Sequence, residues 1–449
     1  MPTAAKTFLS LAALACLTFS VLLPPFQAPD EGYHFLRAYQ LSEGKFREGP
    51  ENGQPGTRVP RSLVEFLSAF ARLPLRPQAK TSAGEILAFR NLAWQAEDRV
   101  FFPFAQELPH PSLPYWPQAL GIFLGRTLGL GPFYCFYLGR LANAGVWISL
   151  LLLALRATPI QRWLWALLAL TPMTLQQAAS LSPDAFTNGL AFLLVAWILN
   201  LSLNPEPGPL GARRLAAPIL GSLAFTLSKV AYAPHALLFL LLPPRKFSSR
   251  PRYLFSVGGA ILLNGLLGLA FLHHSGMGTW PEVQAQREIL LNQPGEFLKI
   301  FALTFWHRAP LYLWQWIGWL GHLDTPLPLG LALGYGTLLL FVAWRDRNAG
   351  PPLLWKAKAL LGGISLLEIT IIWTGLFLTW NQPGAAWIHG GQGRYLIPIA
   401  PLLGLLGYRP AGEAGETAPS LLRAAVLVAS LAGLGASYLL LVRRYYGLS

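Results

Sequence analysis

Apolar stretches of bilayer length recur along this chain, separated by short polar turns. A helix needs about 20 apolar residues to cross the hydrocarbon core, and on that scale eleven spans are drawn, at roughly 7–23, 132–155, 162–179, 184–203, 213–228, 230–242, 252–272, 327–344, 357–380, 394–408 and 420–441. Those at 230–242 and 394–408 are the shortest. Short loops set the orientation: Arg156 and Arg162, Arg213 and Arg214, Arg245 through Arg252, Arg345 through Lys358, and Arg409 share one side if the N-terminus is cytoplasmic, as the positive-inside rule expects. Arg443 and Arg444 dissent.

Two further stretches are placed at the membrane surface and not across it. A span at 113–130 would invert every later loop, so it is read as interfacial or re-entrant. The 297–322 stretch crowds Trp306, Trp314, Trp316 and Trp319 beside His307 and Arg308. Tryptophan favours the headgroup level, which predicts an outer-surface helix. The pattern thus predicts an all-α integral membrane protein of about 11 transmembrane helices. It divides into a first helix (1–23), a large outer loop with interfacial helices (24–131), a transmembrane bundle (132–272), a second outer loop with the Trp-rich helix (273–326) and C-terminal helices (327–449). The first loop carries eleven Lys/Arg, ten Asp/Glu and many aromatic residues, so it is expected to fold against the membrane rather than act as a linker. Residues 205–209 and 410–418 read as inner connectors.

Composition sharpens this in three places. The chain is 53% hydrophobic and 12% charged, about half the charge of a soluble domain. Its net charge of +14 falls largely in the short loops, which argues against a nucleic-acid partner. Cys16 and Cys135 sit in apolar surroundings and offer neither a disulfide framework nor metal spacing. The N-terminal run after Lys6 lacks a small-x-small cleavage site, so it reads as an uncleaved first helix.

With that topology the unusual polar groups share one side. Asp30, Glu31, His34, His110, Asp184, Lys229, Asp324, Gln392 and Arg394 lie at or near the outer ends of spans. Asp30 and Glu31 follow the first helix directly, and helical spacing puts Asp30, His34 and Arg37 roughly on one face. Adjacent carboxylates suit a general base or a cation site; Asp after Pro also suits a helix N-cap. Asp184 could cap its span or hold a cation. Lys229 could snorkel or meet a lipid phosphate, and Arg394 could grip a phosphate through two parallel bonds. His110 stands in a proline-broken turn, and Asp324 is placed to cap the next span. There is no Walker loop, HExxH or CxxC.

Pro29-Asp30-Glu31-x-x-His34-Phe35-x-Arg37-Ala38-Tyr39 resembles the motif of a family of predicted bacterial multi-spanning membrane proteins. Leu138 through Asn143, Thr171-Pro172-Met173 through Asp184, Lys229 with Tyr232, Gly318 through Pro328, and Gln392-Gly393-Arg394-Tyr395 resemble it in the same order. That family in turn resembles the GT-C glycosyltransferases, among them protein mannosyltransferases, oligosaccharyltransferases and the aminoarabinose transferase of lipid A. The resemblance implies a large first outer loop, an essential acid near its start, at Asp30, and a polyprenyl-phosphate-linked sugar donor. His110-Pro111-Ser112-Leu113 resembles the His/Lys-Pro-Pro-Leu late in that loop, with Ser112 in place of the second proline. Some GT-C members need a divalent metal and others do not, so the metal stays open.

The expectation is therefore a glycosyltransferase on the outer face of a bacterial cytoplasmic membrane, passing a sugar to an envelope glycan, lipid or protein. Asp30 is the expected base, with Glu31 assisting it. His34, Arg37, His110, Lys229, Gln392 and Arg394 are expected to bind substrate or phosphate, and Glu31 and Asp184 are the candidate ligands of a divalent cation. The alternative is a transporter or flippase of lipid-linked sugars, and a blander one is an envelope scaffold. Against transport, no pseudo-symmetric halves are visible, and the charges gather at one surface instead of the midplane.

Overall fold

The fold was obtained as a computed structural model, which describes residues 1–46, 51, 56–103, 112–205, 208–347, 350–382, 384–411 and 419–447. His110, and most of the connectors expected at 205–209 and 410–418, lie wholly or partly outside the described residues.

Helix α1 (Thr3–Leu22) leads into the first loop. That loop contains α2 (Glu31–Ser42), strand β1 (Gly56–Pro60), α3 (Arg61–Phe70), α4 (Ala83–Ala88), strand β2 (Arg99–Pro103) and α5 (Trp116–Thr127). β1 and β2 pair antiparallel, Gly56 opposite Pro103 and Pro60 opposite Arg99. The loop is seated on the bundle through an aromatic cluster: the Phe26 ring lies 4.9 Å from Phe136 and 5.0 Å from Phe66. Helix α5, at about 18 Å, is too short to cross a bilayer. It leaves Trp116, Leu120, Phe123 and Leu124 exposed and packs its other face on α6 (Pro132–Ala157). Gly121 permits that approach, since a Cβ there would stand 2.4 Å from the Leu138 carbonyl oxygen.

After α6 the expected 162–179 span is broken into α7 (Arg162–Ala169) and α8 (Pro172–Ala178). Pro172 has no N–H to continue the first helix and disfavours helical backbone at Thr171. Next come α9 (Asp184–Leu203) and α10 (Ala212–Ser228). The short 230–242 span is a 3-10 helix, Val230–Leu241, with Pro234 inside it. At about 2 Å per residue its 12 residues extend about 24 Å, further than an α-helix of that length.

The chain continues through α11 (Arg250–His274), α12 (Pro281–Asn292), α13 (Pro294–Gly318), the hairpin β3 (Trp319–Leu320) and β4 (Thr325–Pro326), α14 (Leu329–Arg345) and α15 (Trp355–Trp380). A 3-10 turn (Gly393–Leu396), α16 (Ala400–Leu406) and α17 (Pro419–Tyr446) complete the order. Six of these helices, α1, α6, α9, α11, α15 and α17, are long and apolar enough to cross a membrane among the described residues. The other expected spans are shorter or interrupted, so the count of eleven is not established by helix length.

The two ends of the bundle are defined by their polar contacts. At one end Met1 meets Arg156, Asn200 donates to the Ala157 carbonyl, and Asp346 accepts the Trp163 and Leu164 amides at the start of α7. At the other end Tyr446 donates to the Leu22 carbonyl, and Arg444 binds Asp324 at 2.6 Å together with the Leu73 and Ala79 carbonyls. Arg444, which departs from the loop-charge pattern, is therefore a brace between α17, the hairpin turn and the first loop. Asp324 is its partner.

Within the loop, Glu43 ends α2 and accepts from Arg99 at 3.1 Å and from the Tyr39 hydroxyl at 2.6 Å. Burial alone would raise its carboxyl, but these donors prevail and hold it at about 2, against an ordinary 4.5. A depressed carboxyl stabilises the fold above the unfolded value, and the benefit disappears as pH falls through the folded one. In thermal unfolding, wild type should exceed Glu43→Gln above pH 4.5, with the gap closing between about pH 4.5 and 2.

Candidate active site

At the end of the bundle opposite the N-terminus, α1 releases the chain into a turn, and Asp30 sits at the N-cap of α2 with φ of 60°. This left-handed backbone is uncommon outside glycine, with Asp and Asn among the more tolerant residues. The side chain makes no capping bond. Instead it turns outward, 56% exposed, and accepts from Arg394 Nη2 at 3.3 Å. Burial pushes the Asp30 carboxyl up, yet Arg394, His34 and His322 outweigh it and hold it below the usual carboxylate range.

Arg394 is buried, with 6% of its side chain exposed, in the 3-10 turn that follows a glycine-rich bend. Gly393 N donates to Gln315 Oε1 at 2.9 Å, pinning that turn to α13. A Cβ on Gly393 would stand 2.0 Å from the Tyr312 carbonyl oxygen and 2.5 Å from the Trp316 amide. Gly393→Ala must therefore displace backbone. Its expected result is loss of activity through a misplaced Arg394 with retained helical content, checked by turnover beside circular dichroism.

The same guanidinium approaches Asp184 Oδ2 at 3.9 Å, and Lys229 Nζ reaches Asp184 Oδ1 at 3.2 Å. Gln177 Nε2 donates to Asp184 at 3.4 Å and is itself held by Asn188. The Lys229 ammonium also lies 4.5 Å from the Tyr395 ring centroid, and Tyr232 donates to the Tyr395 carbonyl. The structure thus brings together Asp30, Arg394, Asp184 and Lys229 from four distant segments. His34 belongs to the same group through its field on both carboxylates, and its Nδ1 is 2.9 Å from the Tyr115 hydroxyl. Gln392 stands beside it, with Oε1 buried and lacking a protein partner, and Arg394 Nε is in the same condition.

Two expectations are corrected. Glu31 faces away from Asp30, into the bundle, where Arg140 grips it at 2.8 and 2.7 Å and Leu181 N donates to it. Both side chains are fully buried, and Arg140 further donates to the carbonyls of Ser20, Leu23 and Pro24. Glu31 is a structural anchor and is not positioned to assist Asp30 or to ligate a cation. Nor does Asp184 suit a divalent ion, because its oxygens already face Lys229, Arg394 and Gln177. Among the described residues no group of three or more His, Cys, Asp and Glu side chains could hold a metal.

Arg37 bonds Gln40, Ser112 and the Phe46 carbonyl, all within the first loop. His110 lies outside the described residues.

Two residues were missed. Arg140 was legible in principle, as a lone cation inside an apolar span that demands a buried partner. His322 occupies the hairpin turn that Gln176 holds at both polar atoms of Gly321. Its Nδ1 is buried with no protein partner, and its field reaches Asp30. It lies within the 318–328 stretch that carries the family resemblance, but only the fold brings it toward Asp30.

Comparison with known proteins adds three findings. No curated protein matches the chain. ArnT from Cupriavidus metallidurans, in a crystal structure of the apo state, is similar over 99% of this chain and 78% of its own, at 14% identity and a TM-score of 0.44. An oligosaccharyltransferase from Archaeoglobus fulgidus, crystallised with Zn and sulfate, is similar over 97% of this chain and 52% of its own, at 12% identity and a TM-score of 0.40. A family model described as "predicted membrane protein (DUF2142)" matches residues 13–403.

Proposed function

The chain belongs to the DUF2142 family of predicted membrane proteins, and from the geometry of its site we propose that it is a GT-C-type glycosyltransferase. In this reading it transfers a sugar from a polyprenyl-phosphate-linked donor to a cell-envelope acceptor, on the outer face of the cytoplasmic membrane.

The observation that carries the proposal is the pairing of an outward-facing carboxylate, Asp30, with the buried guanidinium of Arg394 beside Lys229. Sugar transfer from a lipid phosphate needs both an acid-base group and fixed positive charge. The acceptor oxygen attacks the anomeric carbon, its proton passes to an Asp30 oxygen, and the bond from anomeric carbon to phosphate oxygen breaks. The electron pair stays on the phosphate, where charge develops and fixed cations stabilise it best. Arg394 and Lys229 are those cations. Because Asp30 is held below the usual range, it is ionised at neutral pH and a weak base. It therefore takes the proton late, once bond formation has acidified the hydroxyl. The unpartnered Arg394 Nε and Gln392 Oε1 offer a donor and an acceptor to phosphate and sugar oxygens.

Mass spectrometry of purified protein with a panel of polyprenyl-phosphate sugars and envelope acceptor extracts tests this reading. Loss of donor with free polyprenyl phosphate appearing, in wild type and not in Asp30→Asn, is the expected result. Donor movement across proteoliposomes without any turnover would replace the transferase by a transporter.

A further inference from the structure

A cavity of about 360 Å³ opens between α1 and α17 at the end of the bundle far from Asp30, lined by Thr3, Lys6, Thr7, Ser10, Arg423 and two leucines, Leu11 and Leu427. Its volume falls within the range of small-ligand sites, about 300–1,000 Å³. Among the described residues no acidic side chain lines it. Neither Lys6 nor Arg423 has an ion pair or a side-chain hydrogen bond among the described residues, and both line this one cavity. Thr7 is only 7% exposed, and its hydroxyl has no hydrogen-bond partner among the described residues. Thr18 and Ser10 on the same helix, by contrast, donate back to the carbonyls four residues earlier. The Thr7 hydroxyl thus borders the same cavity as Lys6 and Arg423 with its hydrogen unused among the described residues.

From this we infer that the cavity binds the phosphate headgroup of an anionic glycerophospholipid, with an acyl chain lying along the α1–α17 seam over Leu11 and Leu427. Phosphate oxygens supply what the lining lacks: negative charge for Lys6 and Arg423 and an acceptor for Thr7. The uncapped N-terminus of α1, which has no side-chain acceptor of its own, adds a favourable dipole at the same place. Basic pockets between transmembrane helices on the cytoplasmic side are where such headgroups bind. This end carries Arg156, Arg162, Arg345 and Lys358, the cation-rich side of the bundle. The two helices it joins both run to the site end, where α1 delivers Asp30 and α17 carries the Arg444 brace. The inference does not rest on the transferase reading.

The experiment uses the full chain, delipidated in neutral detergent, with phosphatidylglycerol, phosphatidylcholine or inorganic phosphate added separately. Native mass spectrometry reads retained lipid, and thermal unfolding reads stabilisation. Wild type is expected to retain phosphatidylglycerol over phosphatidylcholine and to gain several degrees. In K6Q/R423Q retention falls about tenfold or more, whereas charge-preserving K6R/R423K keeps it. R213Q/R245Q, which removes two cations at the same end outside the cavity, should behave as wild type. Equal loss in R213Q/R245Q would overturn the site in favour of diffuse surface charge. Equal retention of the two lipids would overturn it too. Stabilisation by millimolar inorganic phosphate matching that by the lipid would overturn the lipid as ligand and leave a phosphate site.

Discussion

Asp30→Asn is expected to abolish sugar transfer while leaving the protein folded and able to bind donor. The substitution isolates the charge. Asn has nearly the same shape and, like Asp, tolerates the left-handed backbone of φ 60° that residue 30 adopts. The carboxylate is half exposed, makes no capping bond, and pairs with the buried Arg394, which keeps Asp184 as a second counter-charge at 3.9 Å. Its removal therefore costs little stability. Loss of a positioned base lowers turnover by about 10²–10⁴-fold, and here the fall should appear in kcat with KM nearly unchanged, because phosphate contacts remain on Arg394 and Lys229. Steady-state kinetics of purified wild type and variant, with thermal unfolding run beside them, measures this. Asp30→Ala is the poorer test, since alanine is strained at a positive φ and would mix backbone cost with chemistry. The free protein should also keep its activity well into the acidic range, because the Asp30 carboxyl lies below its ordinary value. A kcat within a few-fold of wild type for Asp30→Asn would remove Asp30 as the base.

Glu31→Gln and Arg140→Ala, one residue and one ion pair away, should fail for the opposite reason. Glu31 and Arg140 are fully buried and joined by two bonds, and Arg140 also ties down three carbonyls where α1 ends. Breaking such a pair leaves a charge in a low-dielectric interior with nothing to balance it, which costs about 3–5 kcal/mol. That is a large fraction of the 5–15 kcal/mol by which a typical domain is stable. The expected result is a sharp loss of folded protein and of unfolding temperature for either single variant. Replacing both partners together by apolar residues of matching volume should restore only part of it, because the unpaired charge is removed but three carbonyls and the Leu181 amide lose their partners. If Glu31→Gln instead folded with wild-type stability and lost only turnover, Glu31 would be part of the chemistry, and its assignment as an anchor would be wrong.

These two neighbours show where sequence reading succeeds and where it stops. Adjacent carboxylates after the first helix, the cations Lys229 and Arg394, and Asp184 were all legible as candidates, since charged groups at span ends stand out against an apolar background. Their grouping is seen in space, where residues from four segments meet within hydrogen-bond or ion-pair distance. Arg37 was placed on the same face as Asp30 by helical spacing, but the helix begins at Glu31 and Asp30 lies outside it in a left-handed turn. Of the residues on that face, His34 acts on Asp30 while Arg37 bonds Gln40, Ser112 and the Phe46 carbonyl. His322 escaped because its role depends on a hairpin turn held by Gln176 from α8, a contact 145 positions away in sequence. The 162–179 span likewise read as continuous by hydropathy, although Pro172 divides it.

By itself the sequence determined that this is a multi-pass helical membrane protein, which stretches are apolar, and that unusual acids and cations stand at the ends of those stretches. Hydropathy and charge are local sums, and each helix must satisfy its own backbone within itself in a bilayer, so these properties survive without knowledge of any partner. Only the tertiary structure decided which member of the Asp30-Glu31 pair faces the site and which is locked inside. Asp30 sits in a left-handed turn and Glu31 opens the helix after it, so the two adjacent acids face different surroundings. What each becomes depends on what the fold brings opposite: a buried arginine from α6 for one, and an open mouth with Arg394 for the other.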